Sequence, residues 1–404
     1  MTPWKGDLFS FVVVLQQAVK TQSPLEEWGL RLSYSQWLQV LQLAREHRVL
    51  PVVYPVIARS PGIPAPLLRE AAQEVQNLKI RSLSLLHHLL SLLQQCQEAL
   101  VPVLPLKGPV LAWQIYGDPA LRPSVDLDLL VRPEHLDTVV SLLESQGYRL
   151  PEKTRRLLQG PHREYYLART HHLVLYSQTL PPVELHLRLM DPRWRFTLRE
   201  EDVWARSRTL EISGIPVRVL SEEDLVLYLL LHGGKHAWNR WIWLVDVHQA
   251  VQTFSPTLHW PTLEQRAQAW GGLRLFYLGV ALAHQVLRTP VPPTVLRRAG
   301  EDPGVRRFLP SLQIPKVPQA PGFWTRIHYE AWMRSRGRWD WMIYWLQWLG
   351  ERIVSPTEKD LDLQHVPSTG WAFLYRPLRI LKDLKQNLWR RLWIRETFQR
   401  TSTD

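Results

Sequence analysis

The chain has 404 residues, of which 45% are hydrophobic and 21% are charged, a composition typical of a soluble globular protein with two or three domains. Its 49 lysines and arginines against 37 acids give a net charge of +12, which favours a polyanionic or nucleotide partner over a cationic substrate. The single cysteine, Cys96, excludes an internal disulfide and a cysteine-based zinc site, and no apolar run could span a bilayer, so we expect a cytoplasmic protein without a transmembrane segment.

Residues 1–100 are predicted to form a helical amino-terminal region. Ser33 or Ser35 is a candidate cap for a helix whose apolar residues follow one stripe, and Pro51 is expected to end that helix. A second long helix is predicted over about 66–99.

Residues 101–220 alternate between strands and helices and are predicted to form the core of the protein. A short apolar strand over Val101 to Leu106 ends at Lys107-Gly108, where a helix begins. A glycine at such a junction lets backbone N–H groups approach a phosphate, and a helix amino terminus favours negative charge. Gly108 and Lys107 are therefore predicted to contact a phosphate. A plain strand-to-helix turn, with the lysine in solvent, is the alternative.

Two carboxylates one residue apart, Asp126 and Asp128, lie in the apolar run 125–131, which otherwise has the composition of a buried strand. Side chains alternate along a strand, so both acids point to one face while Val125 and Leu127 point to the other. Burial of two like charges is costly unless a cation neutralises them, and Mg²⁺ is held by one or two carboxylates together with substrate phosphates. A sheet edge with two solvated acids is the alternative interpretation.

A β-hairpin is predicted further along the core. The run 171–176 is expected to pair with 183–188, and strict alternation in the second run places Glu184 and His186 on one face. The dipeptide His171-His172 lacks a partner at metal-ligand spacing and is interpreted as incidental.

A helical region over 221–288 is predicted to complete a cleft. It begins at Ser221, which is followed by three acids in the first turn. The residues of this region predicted to face the cleft and bind phosphates or an acceptor are Lys235, His236 and Arg240. His232 lies four residues before His236, as in some zinc sites, but no glutamate follows it as in a metalloprotease, so zinc is the weaker interpretation. A structural pair between Arg240 and Asp246 is also open.

The remaining chain is predicted to contain a Pro-rich connector over 289–323, with no regular hydrophobic period, and a Trp-rich basic region over 324–404. Two helices are predicted in this region, over about 324–353 and 371–399. The second is basic with leucines along one side, a pattern that fits packing on the protein or peripheral contact with a membrane surface or RNA. Packing is favoured, because an exposed Trp and Leu surface invites aggregation.

These motifs resemble those of the nucleotidyltransferase superfamily, whose core is similar to that of DNA polymerase beta. More narrowly, they resemble a bacterial family described as uncharacterised nucleotidyltransferases, over roughly residues 25–285. The matching core residues are Leu106-Lys107-Gly108, Tyr116, Arg122-Pro123, the run Asp126 to Val131, and Gly147-Tyr148. The resemblance implies an α+β fold in which a mixed-sheet nucleotidyltransferase core is flanked by amino-terminal and carboxy-terminal helical regions. One departure is that Lys107-Gly108 replaces the usual Gly-Ser or Gly-Gly of the superfamily.

The resemblance also implies the residues of the site. The superfamily pattern requires a third carboxylate on a neighbouring strand, and Glu184 matches it, opposite Asp126 and Asp128. These three acids are the implied catalytic residues and ligands of Mg²⁺ or Mn²⁺, and His186 is expected to orient Glu184 from the second shell of ligands. The residues implied or predicted to bind the nucleotide are Lys107, Gly108, Arg122, Lys235, His236 and Arg240. For Arg122, contact with a phosphate and pairing with a carboxylate are both open.

The implied activity is metal-dependent transfer of a nucleoside monophosphate from an NTP, such as ATP, to a hydroxyl, with release of pyrophosphate. A catalytically silent nucleotide-binding regulator or scaffold with the same fold is the alternative. The sequence leaves the acceptor open, because a small molecule, a protein side chain and an RNA end all fit a basic, Trp-containing chain.

Overall fold

The structure is a computed structural model that describes residues 7–20, 32–194, 196–312 and 329–333, together with residues 342, 346 and 350. The chain divides into two compact units, one built from Met1–Arg149 and His171–Arg334 and the other from Leu150–Thr170 and Ser335–Asp404. The fold is α+β, with a small mixed sheet and many helices, as the sequence predicts. Within these described ranges, no helix is long and apolar enough to cross a membrane.

The amino-terminal region is helical, as predicted. Its helices are α1 (Asp7–Lys20), α2 (Tyr34–Glu46), α3 (Leu50–Arg59) and α4 (Ala65–Glu98). Ser33 caps α2, because its hydroxyl accepts a hydrogen bond from the Gln36 N–H while the Gln36 side chain accepts one from the Ser33 N–H. The expectation that Pro51 ends α2 is wrong. Pro51 lies in the first turn of α3, where a residue without an N–H loses no helical hydrogen bond.

A four-stranded sheet forms the centre of the first unit. Its strands are β1 (Val103–Pro105), β2 (Leu127–Val131), β3 (His172–Leu175) and β4 (Val183–His186), in the spatial order β1-β2-β4-β3. β2 runs antiparallel to β1 and parallel to β4, and β3 and β4 form the predicted antiparallel hairpin. The sheet is therefore mixed, and β2 and β4 are its two central strands.

The register of these strands positions the acids. Asp128 on β2 lies opposite Glu184 on β4, and His172 on β3 lies opposite His186. β2 begins later than expected, so Val125 precedes the strand and is 59% exposed rather than buried.

Short helices and a second hairpin connect the sheet to the carboxy-terminal helices. The connecting elements are α5 (Gly108–Tyr116), α6 (Leu136–Ser145), α9 (Glu200–Arg206), β5 (Arg208–Ile212) and β6 (Ile215–Val219). β5 and β6 form a separate two-stranded antiparallel sheet, across a turn in which Ser213 and Gly214 both have positive φ. In the second unit, α7 (Glu152–Gln159) packs against α8 (Arg163–Arg169).

Helices follow this hairpin. They include α10 (Glu222–Lys235), α11 (Ile242–Phe254), α12 (Trp260–Ala269), α13 (Leu273–Leu287), α14 (Pro293–Glu301) and α15 (Pro303–Leu312). Ser221 caps α10 as predicted, since its hydroxyl accepts a hydrogen bond from the Asp224 N–H. The expectation of an irregular connector is wrong over α14 and α15, which bury Val295 and Val305.

The Trp-rich region is described only in part. Residues 329–333 are helical, within the first predicted helix of that region. The predicted helix over 371–399, and its packing, lie outside the described residues.

One buried contact joins the amino-terminal helices to the carboxy-terminal ones. The Trp241 N–H donates to the ring Nδ1 of His47 at 3.3 Å, and the Ile242 N–H donates to the His47 carbonyl at 3.2 Å. His47 and Trp241 are both buried, so this connection is shielded from water. Arg48 follows His47 in the sequence and Arg240 precedes Trp241, so this contact holds the two arginines near each other.

Candidate active site

A cleft of about 480 Å³ is lined by residues of β2, β3 and β4 and by residues at the corner between α10 and α11. Acidic side chains from the region of β2 and β4 line one part of it, and basic side chains from the helices line another. The cleft contains every predicted site residue except Gly108. Its lining therefore combines groups that bind cations with groups that bind phosphates.

Asp126, Asp128 and Glu184 form the acidic part of the cleft. Asp128, Glu184 and His186 each have one side-chain atom that could bind a metal ion, and these three atoms lie within 4.8 Å of one another. Asp126 is not part of this group. Asp126 is nevertheless close enough to interact electrostatically with both other acids. Burial raises its pKa, and the negative charges of Asp128 and Glu184 raise it further.

Asp128 already has two partners, and both contact the same oxygen. The Lys107 Nζ lies 3.0 Å from Oδ1, and the His186 Nε2 lies 2.9 Å from it. Burial acts to raise the pKa of Asp128, but Lys107 and His186 outweigh it and hold that pKa well below its usual range. Lys107 thus contacts a carboxylate, and the pKa of its ammonium is raised by Asp128 despite burial.

His186 is nearer to Asp128 than to Glu184, the residue it was expected to orient. Its Nε2 lies 3.5 Å from Glu184 Oε2, and the Nε2 of His172 lies 3.7 Å from the same oxygen. Hydrogen bonding to His186 is the main cause that lowers the pKa of Glu184. Glu184 is therefore kept ionised, and its carboxylate lines the cleft.

The basic part of the cleft includes Arg48, which the sequence analysis did not single out. Arg48 adopts a left-handed backbone conformation with φ of 59°, unusual for a residue with a side chain. Burial lowers the pKa of its guanidinium, and the positive charge of Arg240 lowers it further. Two like charges held together in this way favour an anion between them. The available signal was the resemblance to the nucleotidyltransferase family, which covers roughly residues 25–285 and so includes Arg48.

Lys235, His236 and Arg240 also line the cleft, as predicted. The chain turns sharply after α10, where Ala237 and Trp238 both have positive φ. Gly233 is required at this corner, because a Cβ there would lie 2.3 Å from the Trp238 ring.

His232 and His236 pack against an aromatic side chain. Their ring centroids lie 4.9 Å apart, and both rings pack against Trp243. Among the described residues, neither histidine belongs to a group of three converging metal-ligating side chains.

Arg122 holds a carboxylate. Its Nε lies 2.9 Å from both oxygens of Asp246, a fully buried acid that also accepts a hydrogen bond from the Tyr116 hydroxyl at 2.8 Å. The sequence left open whether Arg122 or Arg240 would pair with an acid, and the structure pairs Asp246 with Arg122.

Gly108 is the predicted site residue that lies outside the cleft lining. It is buried, and its φ of 71° explains why glycine is needed where the chain enters α5. A Cβ at this position would lie 3.7 Å from the Asp126 carbonyl oxygen. Gly108 therefore packs against the backbone that carries the first acid.

His171 and His172, interpreted as incidental from the sequence, both line the cleft. His172 faces His186 across the hairpin, and the ring centroids of His171 and His186 lie 4.9 Å apart. Burial and the nearby His186 lower the pKa of His171 to about 2, so its ring is neutral. The register of the predicted hairpin, which sets His172 opposite His186, could have identified His171 and His172 as residues of the cleft.

The acidic side chains fit a divalent cation. Their donors are carboxylate oxygens, the ligands that Mg²⁺ and Mn²⁺ prefer. Burial raises the pKa of Asp126, and the negative charges of Asp128 and Glu184 repel its ionised form further. A bound cation would relieve this repulsion.

A protein-family model described as "uncharacterised nucleotidyltransferase" matches residues 33–288, more than half of the chain. The chain belongs to this family. The match includes every residue that lines the cleft, from Arg48 to Trp243. No curated protein matches the chain. Membership of this nucleotidyltransferase family supports transfer of a nucleoside monophosphate as the general activity.

Proposed function

We propose that this nucleotidyltransferase transfers a nucleoside monophosphate from an NTP to an acceptor hydroxyl in the cleft, with Mg²⁺ or Mn²⁺ as cofactor. The observation that carries the proposal is the parallel register of β2 and β4, which places Asp128 opposite Glu184 with Asp126 beside them. Basic side chains across the same cleft suit a triphosphate. The family match supports the same class of reaction.

The triphosphate would bind to the basic side chains of the helical region. Arg48 and Arg240 are close enough for one charge to lower the pKa of the other, and Lys235 lies in the same lining. An anion placed among these groups relieves their mutual repulsion and gains charge-assisted hydrogen bonds. ATP is one candidate NTP.

Asp126, Asp128 and Glu184 would hold the cation. Mg²⁺, when bound, neutralises charge on the phosphates and lowers the pKa of a coordinated oxygen. The negative charges of these three side chains favour a cation at this position.

The chemical step is a substitution at the α-phosphorus. The acceptor oxygen forms a bond to this phosphorus, the bond to the β-phosphate bridging oxygen breaks, and pyrophosphate leaves. Glu184, kept ionised by its contact with His186, would accept the proton of the acceptor hydroxyl. Small molecules, protein side chains and RNA ends remain the candidate acceptors.

The test is incubation of the protein with α-³²P-labelled ATP, CTP, GTP or UTP, Mg²⁺ or Mn²⁺, and mixed acceptors. We expect labelled product with the wild type and with Glu211→Gln, which changes an exposed acid on β5. We expect none with Asp126→Asn/Asp128→Asn. Product that persists unchanged in this double variant would contradict the proposed mechanism.

A catalytically silent nucleotide-binding protein is the second candidate. The observation that favours it is the pairing of Asp128 with Lys107 and His186, which neutralises the central acid within the chain itself. Both candidates predict NTP binding, so calorimetry alone does not separate them. Binding of an NTP without labelled product from any acceptor class would support the silent protein.

A further inference from the structure

Three histidines converge at one end of the β3–β4 hairpin. His172 and His186 face each other across the two strands, and His171 precedes His172. One ring nitrogen from each of the three lies within 4.8 Å of the other two. The proposed transfer reaction uses only His186 of this group, through its contact with Glu184, and assigns no role to His171 or His172.

Two ring nitrogens in the group are buried without a partner. They are Nδ1 of His186 and Nε2 of His171, neither of which has a hydrogen-bond partner among the described residues. Buried polar atoms are normally hydrogen-bonded, so such atoms call for an explanation. A ring nitrogen with an unshared lone pair is also the atom with which histidine binds a metal ion.

The outer nitrogen of the His186 ring is held as it is in known metal sites. Its Nε2 donates to Asp128 Oδ1 at 2.9 Å, whereas His172 Nε2 lies 3.7 Å from Glu184 Oε2, beyond hydrogen-bond distance. In a neutral ring that donates from Nε2, the lone pair lies on Nδ1. Carboxylates behind metal-bound histidines fix the tautomer in this way.

The spacing of the remaining nitrogens also fits a metal ion. The Nδ1 atoms of His171 and His172 lie 3.3 Å apart, the distance of a long hydrogen bond. A metal ion bound by both rings would take these Nδ1 atoms, and the Nε2 of His171 would then carry the ring proton rather than bind the ion. Two nitrogens on a tetrahedral Zn²⁺ ion, each bound at about 2.0–2.1 Å, are separated by about 3.3 Å.

We propose that His171, His172 and His186 bind a borderline divalent cation such as Zn²⁺, at a site distinct from the carboxylates assigned to Mg²⁺. Imidazole nitrogens suit Zn²⁺, whereas Mg²⁺ prefers oxygen ligands. Three protein ligands leave a fourth position for water or substrate on the cleft side. His186 contacts both sites, with Nδ1 toward the metal and Nε2 toward Asp128.

The charges around the cluster permit a cation. Lys235 lines the same cleft, and its positive charge opposes cation binding. Asp128, which accepts a hydrogen bond from His186, and Glu184 carry negative charges that favour a cation. The cluster thus combines neutral nitrogen donors with carboxylates behind them.

The experiment measures Zn²⁺ binding by calorimetry and Co²⁺ binding by its visible absorption, in a large excess of Mg²⁺ that fills the carboxylate site. The test variant is His171→Gln/His172→Gln. The matched control is His87→Gln/His88→Gln, which changes the same dipeptide on α4, away from the cleft. Asp126→Asn tests whether the site is separate from the predicted Mg²⁺ site.

We expect the wild type, the control and Asp126→Asn to bind one Zn²⁺ ion per chain. We expect affinity to fall about 100-fold or more in the test variant, because loss of outer partners alone costs about 10–100-fold. A wild type without the Co²⁺ absorption, or a test variant that binds Zn²⁺ as tightly as the wild type, would overturn the proposal. If the double variant fails to fold, His172→Gln decides, since this side chain is partly exposed. Unchanged affinity there would also overturn it.

The result is independent of the proposed transfer reaction. Failure of nucleotide transfer with intact Zn²⁺ binding would contradict only the proposed function. Transfer without Zn²⁺ binding would contradict only this inference.

Discussion

The first unit buries two kinds of acid. Asp224 and Asp246 are fully buried, and each is matched by arginine. Asp224 pairs with Arg206 and Arg266, and Asp246 pairs with Arg122. The cleft acids Asp126, Asp128 and Glu184 are instead crowded together, and the ammonium of Lys107 and the ring Nε2 of His186 both contact one oxygen of Asp128.

This difference separates acids that stabilise the fold from acids whose negative charge is available to bind a ligand. A buried carboxylate stabilises a fold only when its hydrogen-bonding capacity and charge are satisfied. Asp246 meets this condition through Arg122 and Tyr116. Burial raises the pKa of both Asp246 and Asp126. Arg122 and Tyr116 oppose this effect at Asp246, whereas the neighbouring acids add to it at Asp126. We therefore expect substitutions in the first set to lower stability and substitutions in the second to lower activity.

The largest effect is expected for Glu184→Gln. Loss of the proposed proton acceptor should reduce the rate of nucleotide transfer by about 10²–10⁴-fold, the usual contribution of a general base. The free energy of unfolding should change little. Rates measured beside Glu211→Gln provide the control, and a Glu184→Gln protein with normal turnover would remove Glu184 from the mechanism.

Asp246→Asn is expected to have the converse effect. Removal of one member of a buried ion pair should lower the free energy of unfolding by about 3–5 kcal/mol. Glu134→Gln, which breaks an exposed pair with Arg132, should cost about 1 kcal/mol or less. Urea denaturation measures both. Equal stability losses would show that Asp246 is not a structural acid.

Arg48→Gln tests whether the positive charge of Arg48 binds a phosphate of the NTP. Loss of one charge-assisted contact to a phosphate should raise the Kd for an NTP about tenfold, or about 1.4 kcal/mol. Arg69→Gln, which changes an exposed arginine on α4, is the matched control. Calorimetry that finds the same Kd for both variants would exclude Arg48 from the phosphate site.

The smallest effect concerns Asp126→Asn in protein freed of metal by a chelator. The pKa of Asp126 is raised in the folded state, so its ionised form opposes folding at pH values above that raised pKa. Asparagine should therefore increase stability at neutral pH. The gain should shrink as the pH falls through the raised pKa toward the ordinary value of 3.8, where both states bind the proton. A stability difference that is independent of pH would contradict this explanation.

Local patterns predicted much of the sheet and its acids. The period-two alternation placed Glu184 and His186 on one face, and serine followed by acidic or amide residues located the caps of α2 and α10. Two helices were missed because the Pro-rich segment 289–323, which has no regular hydrophobic period, was interpreted as a connector. Proline also begins helices, as Pro293 and Pro303 do here.

Contacts between distant parts of the chain were not predictable in this way. Arg48 reaches the cleft because His47 bonds Trp241, 194 residues away, and no local pattern encodes that contact. The pairing of Lys107 with Asp128 and the burial of Gly108 likewise follow from how α5 meets the sheet. Tertiary packing, rather than periodicity, determines which charges meet.

The most direct test of the account is the fate of each phosphate of one NTP. ATP labelled at the α-phosphate and ATP labelled at the γ-phosphate are incubated separately with the protein, Mg²⁺ and acceptors. The account predicts that the α-label enters the product while the γ-label appears in pyrophosphate, in equal amounts. A γ-label in the product, or release of inorganic phosphate alone, would contradict nucleotide transfer at this cleft.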